Sequence, residues 1–360
     1  MNKDKNNFLS TAKGIGIVLM VIGHCGVPWD IDKFIYQFHM PLFFFCSGYF
    51  IKNIEDNISL LNVYKKKIKG LYLKFLIWSL IFLSLHNFFI YLNIYNDAIS
   101  TWAEYPYSTR QFLNKAIRIT FTMNGHEQLV RSFWFFKQLF VASIFVSTIL
   151  FVTNKVTNYK HSHLMLLIGL LIMTIISKYY NWAIPAIWDI SLVFMSSTYY
   201  LSGYIFRKYN ILRKLNNTTF SILFFIFLVI GVYTLPWINM LEYTYQTAIP
   251  FYIVAFSGTM LTLNIAQKLE THRVRLILYY IGQNTMVIFA LHMLCFKIGN
   301  LLKIIIYDFP LKRLAEFQII ADNNTFFWIL YTIIGIAIPL LFDYTMKQSK
   351  YIKRAWSFLV

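Results

Sequence analysis

The chain has 360 residues, of which 58% are hydrophobic, 19% aromatic and only 13% charged. This composition excludes an ordinary soluble globular domain. The formal net charge of +18 does not indicate nucleic-acid binding, because most of the basic residues fall in the connections between long apolar runs, as they do in membrane proteins.

Apolar runs of about 16 to 25 residues recur along the whole chain, and each is long enough to cross a bilayer core of about 30 Å. We therefore predict an all-α, polytopic integral membrane protein with about ten transmembrane helices, folded as a single transmembrane domain over residues 1–360. The predicted spans are 14–29, 33–51, 71–95, 133–152, 164–180, 184–206, 219–238, 248–266, 276–298 and 325–345.

The basic residues also predict the topology. If the N-terminus is cytoplasmic, the cytoplasmic connections hold roughly 22 of the 33 Lys and Arg residues, as the positive-inside rule requires. Both termini are then cytoplasmic. The first run follows a polar start without a cleavage site, so we expect it to stay in the mature protein. Cys25, Cys46 and Cys295 lack metal or disulfide spacing, and we expect small buried hydrophobic side chains there.

The first span contains two titratable side chains in the stretch "TAKGIGIVLMVIGHC", residues 11–25. Lys13 and His24 are eleven residues apart, which on a helix is three turns plus roughly 20° of rotation and a rise of about 16 Å. Both side chains therefore project from one face. Lys13 is predicted at the cytoplasmic boundary and His24 within the bilayer.

The second span returns toward the cytoplasm after a short connection and brings Gln37, His39 and Ser47 into the membrane. Pro41 is free to kink this helix beside His39. Since the two spans must be antiparallel neighbours, His39 is predicted at a depth comparable to that of His24. Asn284, Thr285 and His292 lie in the ninth span, and His292 is the third histidine expected at this level.

Several other features have simpler explanations. The outer connection 96–132 has near-helical spacing of apolar and basic residues and predicts a helix along the membrane surface. His86 is expected to make a structural hydrogen bond. The similar stretches "CSGYFIK" (46–52) and "LSGYIFR" (201–207) are expected to reflect close packing of small residues, with an internal duplication as the alternative. The "HSH" pair at 161–163 is expected to be solvated. Asp189 is either a partner for a histidine or a packing group.

Four stretches carry a family resemblance: "AKGIGIVLMVIGH" (12–24), "FIYQFHMPLFFFCSGYF" (34–50), "FWFFKQLF" (133–140) and "IGQNTMVIFALH" (281–292). They resemble the acyltransferase 3 family of bacterial inner-membrane proteins, and most closely its fucose 4-O-acetylase-like branch. The resemblance implies transfer of an acyl group, usually acetyl from acetyl-CoA, to a sugar hydroxyl of a cell-surface glycan or its lipid-linked precursor.

The match has identifiable departures. The family pairs an arginine with a histidine across ten intervening residues, whereas Lys13 stands here in the place of the arginine and His24 matches the histidine. Lysine keeps the charge but lacks the bidentate fork of arginine. The family's Trp-Phe-Leu signature reads Trp134, Phe135 and Phe136, and its Asn-Ser pair reads Asn284 and Thr285. Some members of the family carry an esterase-like domain after the membrane domain; we expect none after residue 360 here, and a second transfer step would then require a separate protein.

These residues suggest a division of roles. His24 is the expected general base; the alternative is that it carries the acyl group itself. His39 is expected to orient His24 or to relay the proton. Ser47 or Asn284 is expected to donate to the developing oxyanion, with His292 nearby.

Phosphates of acetyl-CoA are expected to meet Lys13 and one of two basic patches, unless these serve topology alone: Lys65, Lys66 and Lys67, or Arg273 and Arg275. Trp134, Glu127 and Arg131 are the expected acceptor side. No metal is expected.

Two other classes of protein fit the same hydropathy. A proton-coupled transporter or flippase for a glycan lipid would use the histidines as a proton relay, and a non-catalytic subunit of an export complex would use none of them. The Lys13–His24 register favours the enzyme, since a transporter does not need a cation at the inner mouth on the same face as a buried base. Clear inverted repeats would favour transport.

Overall fold

The computed structural model describes residues 7–97, 105–125, 127–157, 159, 161–184, 188–321, 326–349 and 351–360. The helices of these ranges are α1 Asn7–Gly23, α2 Trp29–Tyr36, α3 His39–Tyr49, α4 Asn57–Lys67, α5 Leu73–Tyr91, α6 Thr109–Thr122, α7 Trp134–Val156, α8 Ser162–Tyr179, α9 Ile190–Lys208, α10 Ile211–Leu215, α11 Thr218–Thr234, α12 Ala248–Lys268, α13 Val274–Gln283, α14 Thr285–Tyr307, α15 Phe327–Gln348 and α16 Lys353–Leu359. Strands β1 Ala183–Ile184 and β2 Trp188–Asp189 form one short antiparallel pair.

The prediction of an all-α, multi-pass membrane protein is confirmed. Within the described ranges, six helical runs are long and apolar enough to cross a bilayer: Asn57–Tyr91, Gln128–Val156, Ser162–Tyr179, Ala248–Thr271, Thr285–Tyr307 and Phe327–Gln348. Asn7–Gly23 and Thr218–Thr234 are shorter apolar helices. The total of ten spans and the cytoplasmic placement of the termini stay predictions.

Two predicted spans are interrupted in the structure. The span 33–51 consists of α2 and α3, and the break falls at Gln37 and Phe38, before His39 rather than at Pro41. Pro41 lies in the first turn of α3, where its missing N–H has no helical partner to lose. The span 276–298 is divided at Asn284 into α13 and α14, and α14 continues to Tyr307, well past the predicted end.

The chain is divided into two compact units that interleave along the sequence. The first unit contains residues 7–16, Trp29–Tyr72 and Phe135–Gln283, and the second contains Ile17–Pro28, Leu73–Trp134 and Asn284–Val360. Helix α1 therefore begins in the first unit and ends in the second. A single domain over the whole chain stays a prediction.

The first unit is held together by close helix packing at glycines. A Cβ atom on Gly48 of α3 would overlap the carbonyl oxygen of Tyr200 in α9, and one on Gly203 of α9 would overlap the carbonyl oxygen of Phe45 in α3. These are the glycines of the two "SGY" stretches, which pack directly against each other. The close packing expected of these small residues is confirmed.

A second close approach fixes the first half of α1. A Cβ on Gly14 would overlap the Leu278 carbonyl oxygen in α13, and one on Gly282 would overlap that of Ser10. The contact is extended by Gln283, whose Nε2 donates to Ser10 Oγ at 2.6 Å. Helix α1 thus enters the first unit at a fixed rotation, which decides where Lys13 points.

The second unit contains a segment that packs against the last turns of α14. We call residues 311–321 the strap; it begins with a 3-10 turn at Leu311–Ala315. Leu314 and Ile320 of the strap join Ile304 of α14 in a buried apolar cluster. Helices α14 and α15 pack through small residues, with Gly299 against the Tyr331 ring and Gly335 against Phe296.

The predicted helix in the outer connection is present as α6. Ser108 caps it with a reciprocal capping box that includes Gln111. The helical part of the prediction is confirmed, while its placement on the membrane surface stays a prediction. All three cysteines are buried and free, as the sequence led us to expect.

Candidate functional site

Lys13 lies half-buried on α1 in the first unit. The thiol of Cys46 on α3 is within its electrostatic reach. Among the residues that the structure describes, Lys13 Nζ makes no hydrogen bond and no ion pair. An ammonium group has three donors and is costly to withdraw from water without a partner. This arrangement therefore suits an anionic ligand.

Ser47 and two of the predicted lysines line one cavity of the first unit, with a volume of about 540 Å³. Lys67 Nζ donates to Ser47 Oγ at 3.4 Å and lies 5.3 Å from the centre of the Tyr200 ring. Lys66 lines the same cavity, whereas Lys65 is exposed on the same helix. The structure thus brings Ser47 together with Lys66 and Lys67, which the sequence had assigned to different roles.

A second cavity of about 580 Å³ adjoins the first and shares Ile51, Lys52, Asn53 and Ser59 with it. It adds Arg207 and Lys208, two cations that sequence reasoning did not single out. The Asp56 side chain, which also lines it, accepts from Ser59 N at 2.7 Å as the cap of α4, and this backbone hydrogen bond lowers the pKa of Asp56.

We call the two cavities together the cationic cleft. Five lysine and arginine side chains line it against two carboxylates: Lys52, Lys66, Lys67, Arg207 and Lys208 against Glu55 and Asp56. Arg207 Nη1 also donates to the Ile51 carbonyl at 2.8 Å, which fixes it at the cleft wall. A polar pocket with this excess of positive charge is suited to phosphate groups.

His24 and His292 meet in the second unit. His24 directly follows α1, and its ring stacks on that of His292 with a centroid separation of 5.5 Å and an interplanar angle of 20°. His292 is fully buried, and its Nδ1 donates to the carbonyls of Ile288 and Phe289, both at 3.0 Å. Its Nε2 is therefore left with a lone pair, and this buried atom has no hydrogen-bond partner.

One hydrogen-bond partner of His24 was missed by sequence reasoning. Gln318 of the strap donates from Nε2 to His24 Nδ1 at 3.0 Å. Gln318 has a positive φ of 58°, in the left-handed region that few residues other than glycine adopt. Nothing in the local sequence singles out this glutamine, which lies in a loop almost 300 residues away along the chain.

The strap is held by polar side chains of α14. Lys297 Nζ donates to the carbonyls of Leu314 at 3.1 Å and Glu316 at 2.8 Å, and Lys303 Nζ donates to that of Ile320 at 2.8 Å. Between them, Asn300 Oδ1 accepts from Ile320 N at 3.1 Å. The sequence did carry a signal here, because residues 297, 300 and 303 recur every three positions in an apolar helix. The predicted spans 276–298 and 325–345 place Lys303 in the outer connection 299–324, whereas the structure buries it on α14.

His39 belongs to the first unit, whereas His24 and His292 belong to the second. It begins α3, and its Nδ1 donates to the Ile35 carbonyl at 2.9 Å. Its ring packs edge-on against Tyr36 with centroids 5.0 Å apart. The proton relay from His24 to His39 stays a prediction.

Asn284 lies in a polar cluster of the second unit that the sequence did not predict. Its Oδ1 accepts from Lys347 Nζ at 2.9 Å, and Lys347 pairs with the buried Asp343 at 2.6 Å. Trp356 of α16 donates to the same carboxylate at 2.8 Å. Asn284 precedes His292 by eight residues, or about 12 Å of helix. Its assignment as an oxyanion donor stays a prediction.

The predicted acceptor residues lie at the start of α7. Trp134 is half-buried, Arg131 is exposed, and Glu127 is buried. The Glu127 carboxylate contacts His86 Nδ1 at 2.6 Å and Lys115 at 3.7 Å. His86 Nε2 donates to the Tyr105 carbonyl at 3.0 Å. His86 therefore makes the structural hydrogen bonds we expected, and Glu127 is their partner. His126, which directly precedes Glu127 in the chain, lies outside the described residues.

The remaining predicted groups are distributed over the first unit. Arg273 is exposed directly before α13 and Arg275 is half-buried in its first turn. Asp189 caps α9 by accepting from Leu192 N at 3.2 Å, so the structure assigns it a helix-capping contact. Of the "HSH" pair, His161 is exposed and His163 is buried. Within the described ranges, no three His, Cys, Asp or Glu side chains lie close enough together to hold a metal ion.

Comparison of the amino-acid sequence with known protein families gives one match. The model of the acyltransferase 3 family, described as an acyltransferase domain, matches residues 6–344, nearly the whole chain. The chain belongs to the acyltransferase 3 family. It is therefore a multi-pass membrane acyltransferase. Searches among curated proteins and among solved structures gave no significant match. The fucose 4-O-acetylase-like branch stays a prediction.

Proposed function

We propose that this acyltransferase moves an acetyl group from acetyl-CoA to a sugar hydroxyl of a cell-surface glycan or its lipid-linked precursor, in the inner membrane of a bacterium. The observation that carries the chemistry is the stacked pair of His24 and His292. An imidazole with an amide partner, beside another imidazole whose buried Nε2 has no hydrogen-bond partner, is a constellation for moving a proton in a site shielded from water.

The donor is assigned to the cationic cleft. The diphosphate and 3′-phosphate of acetyl-CoA require several cations in one pocket, and the cleft lines its two cavities with five. Ser47 lies in the same pocket, bonded to Lys67. Lys13, whose ammonium group makes no hydrogen bond among the described residues, supplies a further positive charge on α1. As a point charge it attracts phosphate without the bidentate geometry of arginine.

The proposed reaction uses a single general base, which takes a proton from the acceptor and later returns it to the leaving group. His24 removes the proton from the acceptor hydroxyl as its oxygen attacks the thioester carbonyl, and the tetrahedral oxyanion forms. The carbon–sulfur bond then breaks, the acyl–oxygen bond remains, and the imidazolium returns its proton to the CoA thiolate. Ser47 or Asn284 is assigned to the oxyanion, and Trp134 with Arg131 to the acceptor, because aromatic faces suit sugar rings.

The test uses the purified protein in liposomes with labelled acetyl-CoA and a panel of glycan acceptors. We expect label on a glycan and an equal amount of free CoA thiol, and we expect His24→Ala to lower kcat about 10²- to 10⁴-fold. His161→Ala, a change at an exposed histidine, is the matched control. Transfer that survives His24→Ala excludes the assigned base. Wild-type protein that releases no CoA with any acceptor favours the proton-coupled transporter.

A further inference from the structure

One histidine of the "HSH" pair is connected to the cationic cleft. His163 is 4% exposed and lies in the first turn of α8. Lys208, at the end of α9, lines the second cavity, and its Nζ donates to His163 Nε2 at 3.4 Å. The sequence led us to expect a solvated pair, whereas the structure places one member of it against a lysine of the proposed donor site.

The contact fixes the form of the imidazole. A lysine ammonium group only donates, so His163 Nε2 must present its lone pair and the ring proton is on Nδ1. That N–H donates to Tyr209 Oη at 3.4 Å. Among the described residues, the bond to His163 is the one hydrogen bond of Lys208 Nζ. Two of its three N–H donors are therefore left for a ligand.

Arg207, which precedes Lys208, is also held by a neutral acceptor. Its Nη1 donates to the Ile51 carbonyl at 2.8 Å. Two carboxylates, those of Glu55 and Asp56, line the same cavity. Within the described ranges, however, neither Arg207 nor Lys208 forms an ion pair. The protein thus holds two adjacent cations in place without neutralising their charge, and this arrangement suits an anionic ligand.

The wall of this cavity also contains a hydroxyl group without a partner. Tyr204 is 2% exposed and lines the second cavity, and its ring centre lies 5.5 Å from that of His163. Its buried hydroxyl has no hydrogen-bond partner among the residues that the structure describes. A buried hydroxyl without a partner is unfavourable, and an oxygen of a ligand in this cavity would accept from it.

The two cavities of the cleft differ in their lining. Phe50, Val63 and Leu71 line the first cavity together with Ser47, whereas Ile51 is the one aliphatic side chain among the described residues that line the second. The groups of acetyl-CoA follow one another in the order thioester, pantetheine, diphosphate and 3′-phosphoadenosine. With the thioester at Ser47, the partly apolar first cavity suits the pantetheine and the diphosphate. The polar second cavity of about 580 Å³ then receives the 3′-phosphoadenosine.

We propose that Arg207 and Lys208 form the subsite for the 3′-phosphate of the donor, and that His163 is the positioning residue that holds Lys208 there. This inference rests on the proposed function, in which acetyl-CoA occupies the cationic cleft. A phosphate monoester carries about two negative charges and suits two adjacent cations. The Asp56 side chain is engaged as the cap of α4, and the exposed Glu55 is an acceptor for the amino group of adenine.

The first experiment compares two donors in the reconstituted protein: acetyl-CoA and acetyl-3′-dephospho-CoA, which lacks only the 3′-phosphate. For the wild-type protein we expect a KM about tenfold higher for the dephospho donor, because charge-assisted hydrogen bonds are lost. We expect kcat to stay within about twofold, since uniform binding changes KM alone. This comparison needs no substitution and does not depend on the folding of a variant. Equal KM values would overturn the inference.

Variants then assign the subsite to residues. Lys208→Met should raise the KM for acetyl-CoA about tenfold and leave that for the dephospho donor within about twofold. His163→Phe should show the same dependence on the donor at about threefold. His163→Gln, whose carbonyl oxygen accepts from Lys208, should restore most of the affinity. His161→Phe, at the exposed histidine of the pair, is the matched control.

Lys67→Met, in the first cavity, should instead raise the KM for both donors alike. A Lys208→Met effect that is equal for the two donors would exclude the 3′-phosphate subsite. An unchanged donor preference in His163→Phe would exclude the positioning role of His163.

Calorimetric binding of CoA and 3′-dephospho-CoA separates this inference from the proposed function. We expect about tenfold weaker binding of dephospho-CoA to the wild-type protein and equal affinities in Lys208→Met. If neither compound binds to the wild-type protein, the donor assignment fails and the subsite with it. If both bind and Lys208→Met keeps the preference for CoA, the cleft stays the donor site and the assigned subsite is wrong.

Discussion

Lys13 is the residue that most directly connects the local sequence to donor binding. It stands where the family has an arginine, and the structure leaves its ammonium group without a hydrogen bond among the described residues. Gly14 packs against α13 beside it and fixes the helix face. A cation in such a position contributes to binding only when an anion arrives, so its effect should be confined to the donor.

We expect Lys13→Met to raise the KM for acetyl-CoA about tenfold, because a charge-assisted hydrogen bond contributes about 1.5–3 kcal/mol. Lys13→Arg should keep or lower the KM, since arginine adds the bidentate geometry. Steady-state kinetics with varied acetyl-CoA measure both. Lys214→Met, at an exposed lysine of α10, is the control. An unchanged KM for Lys13→Met would exclude Lys13 from the donor site.

His86 and Glu127 illustrate a buried polar pair whose effect is on stability. Both are about 1% exposed, and the His86 ring also stacks on Tyr107 at 3.4 Å. We expect His86→Leu to lower the free energy of unfolding by about 3–5 kcal/mol, because it removes the hydrogen-bond partner of the buried Glu127 carboxylate and leaves only Lys115 at 3.7 Å. The double variant with Glu127→Leu should be more stable than the sum of the two single variants predicts.

Thermal unfolding in detergent measures this effect. His161→Leu, at an exposed histidine, should leave the Tm within about 1 °C, since an exposed substitution away from such features changes stability little. If His86→Leu unfolds at the wild-type temperature, or if the double variant is additive, the pair does not stabilise the fold.

At the scale of helices, small residues decide which elements touch. Apolar side chains cannot drive helices together in lipid as they do in water, so close backbone approach and shape matter more. The reciprocal contact of Gly48 and Gly203 between α3 and α9 is the clearest case. It places Ser47, one residue before Gly48, at the wall of the cationic cleft.

We expect Gly203→Ala to lower the free energy of unfolding by about 1–3 kcal/mol or more. The new methyl group would overlap the α3 backbone, so α3 and α9 would have to separate. Gly169→Ala is the matched control: Gly169 is interior to α8 and has open space around its Cβ position. The control should be neutral or stabilising by up to about 1 kcal/mol.

The readouts are Tm and the KM for acetyl-CoA. Separation of α3 from α9 should move Ser47, so Gly203→Ala is expected to raise the KM as well as lower the Tm. Equal Tm values for the two alanine variants would show that the close contact contributes nothing to stability.

Helix boundaries could be predicted only in part. The sequence located each long apolar run, but not the breaks at Gln37 and Asn284 or the extension of α14 to Tyr307. Lys303 looked like a loop residue because a lone lysine is unfavourable in an apolar helix. Its bond to the Ile320 carbonyl offsets part of that penalty, and the strap that supplies the carbonyl comes seventeen residues later in the chain.

At the scale of the whole molecule, the distribution of charge predicts the orientation in the membrane. The basic connections are assigned to the cytoplasm, where they would also meet acetyl-CoA. Since all three native cysteines are buried, background labelling by a hydrophilic thiol reagent should be low, and single introduced cysteines can report the topology.

We expect Lys214→Cys, in a connection assigned to the cytoplasm, to be protected from a membrane-impermeant maleimide in intact cells and labelled after lysis. Tyr105→Cys and Lys312→Cys, in the connections assigned to the outside, should be labelled in intact cells. All three positions are exposed. Labelling of Lys214→Cys in intact cells would reverse the predicted orientation and move the donor cleft to the wrong side for CoA.

The sequence by itself determined the class of the protein and its helical composition, and it singled out Lys13 and His24 in the first span. Hydropathy and helical register are local properties, so the sequence was sufficient for these conclusions. The sequence predicted His24 and His292 at one level of the bilayer, but only the tertiary structure showed that their rings stack and that Gln318, 294 positions along the chain, contacts His24. The same holds for the cationic cleft, which combines Ser47 and Lys67 with Arg207. Such sites depend on side chains that are distant in sequence and meet only when helices pack, and no local pattern records that meeting.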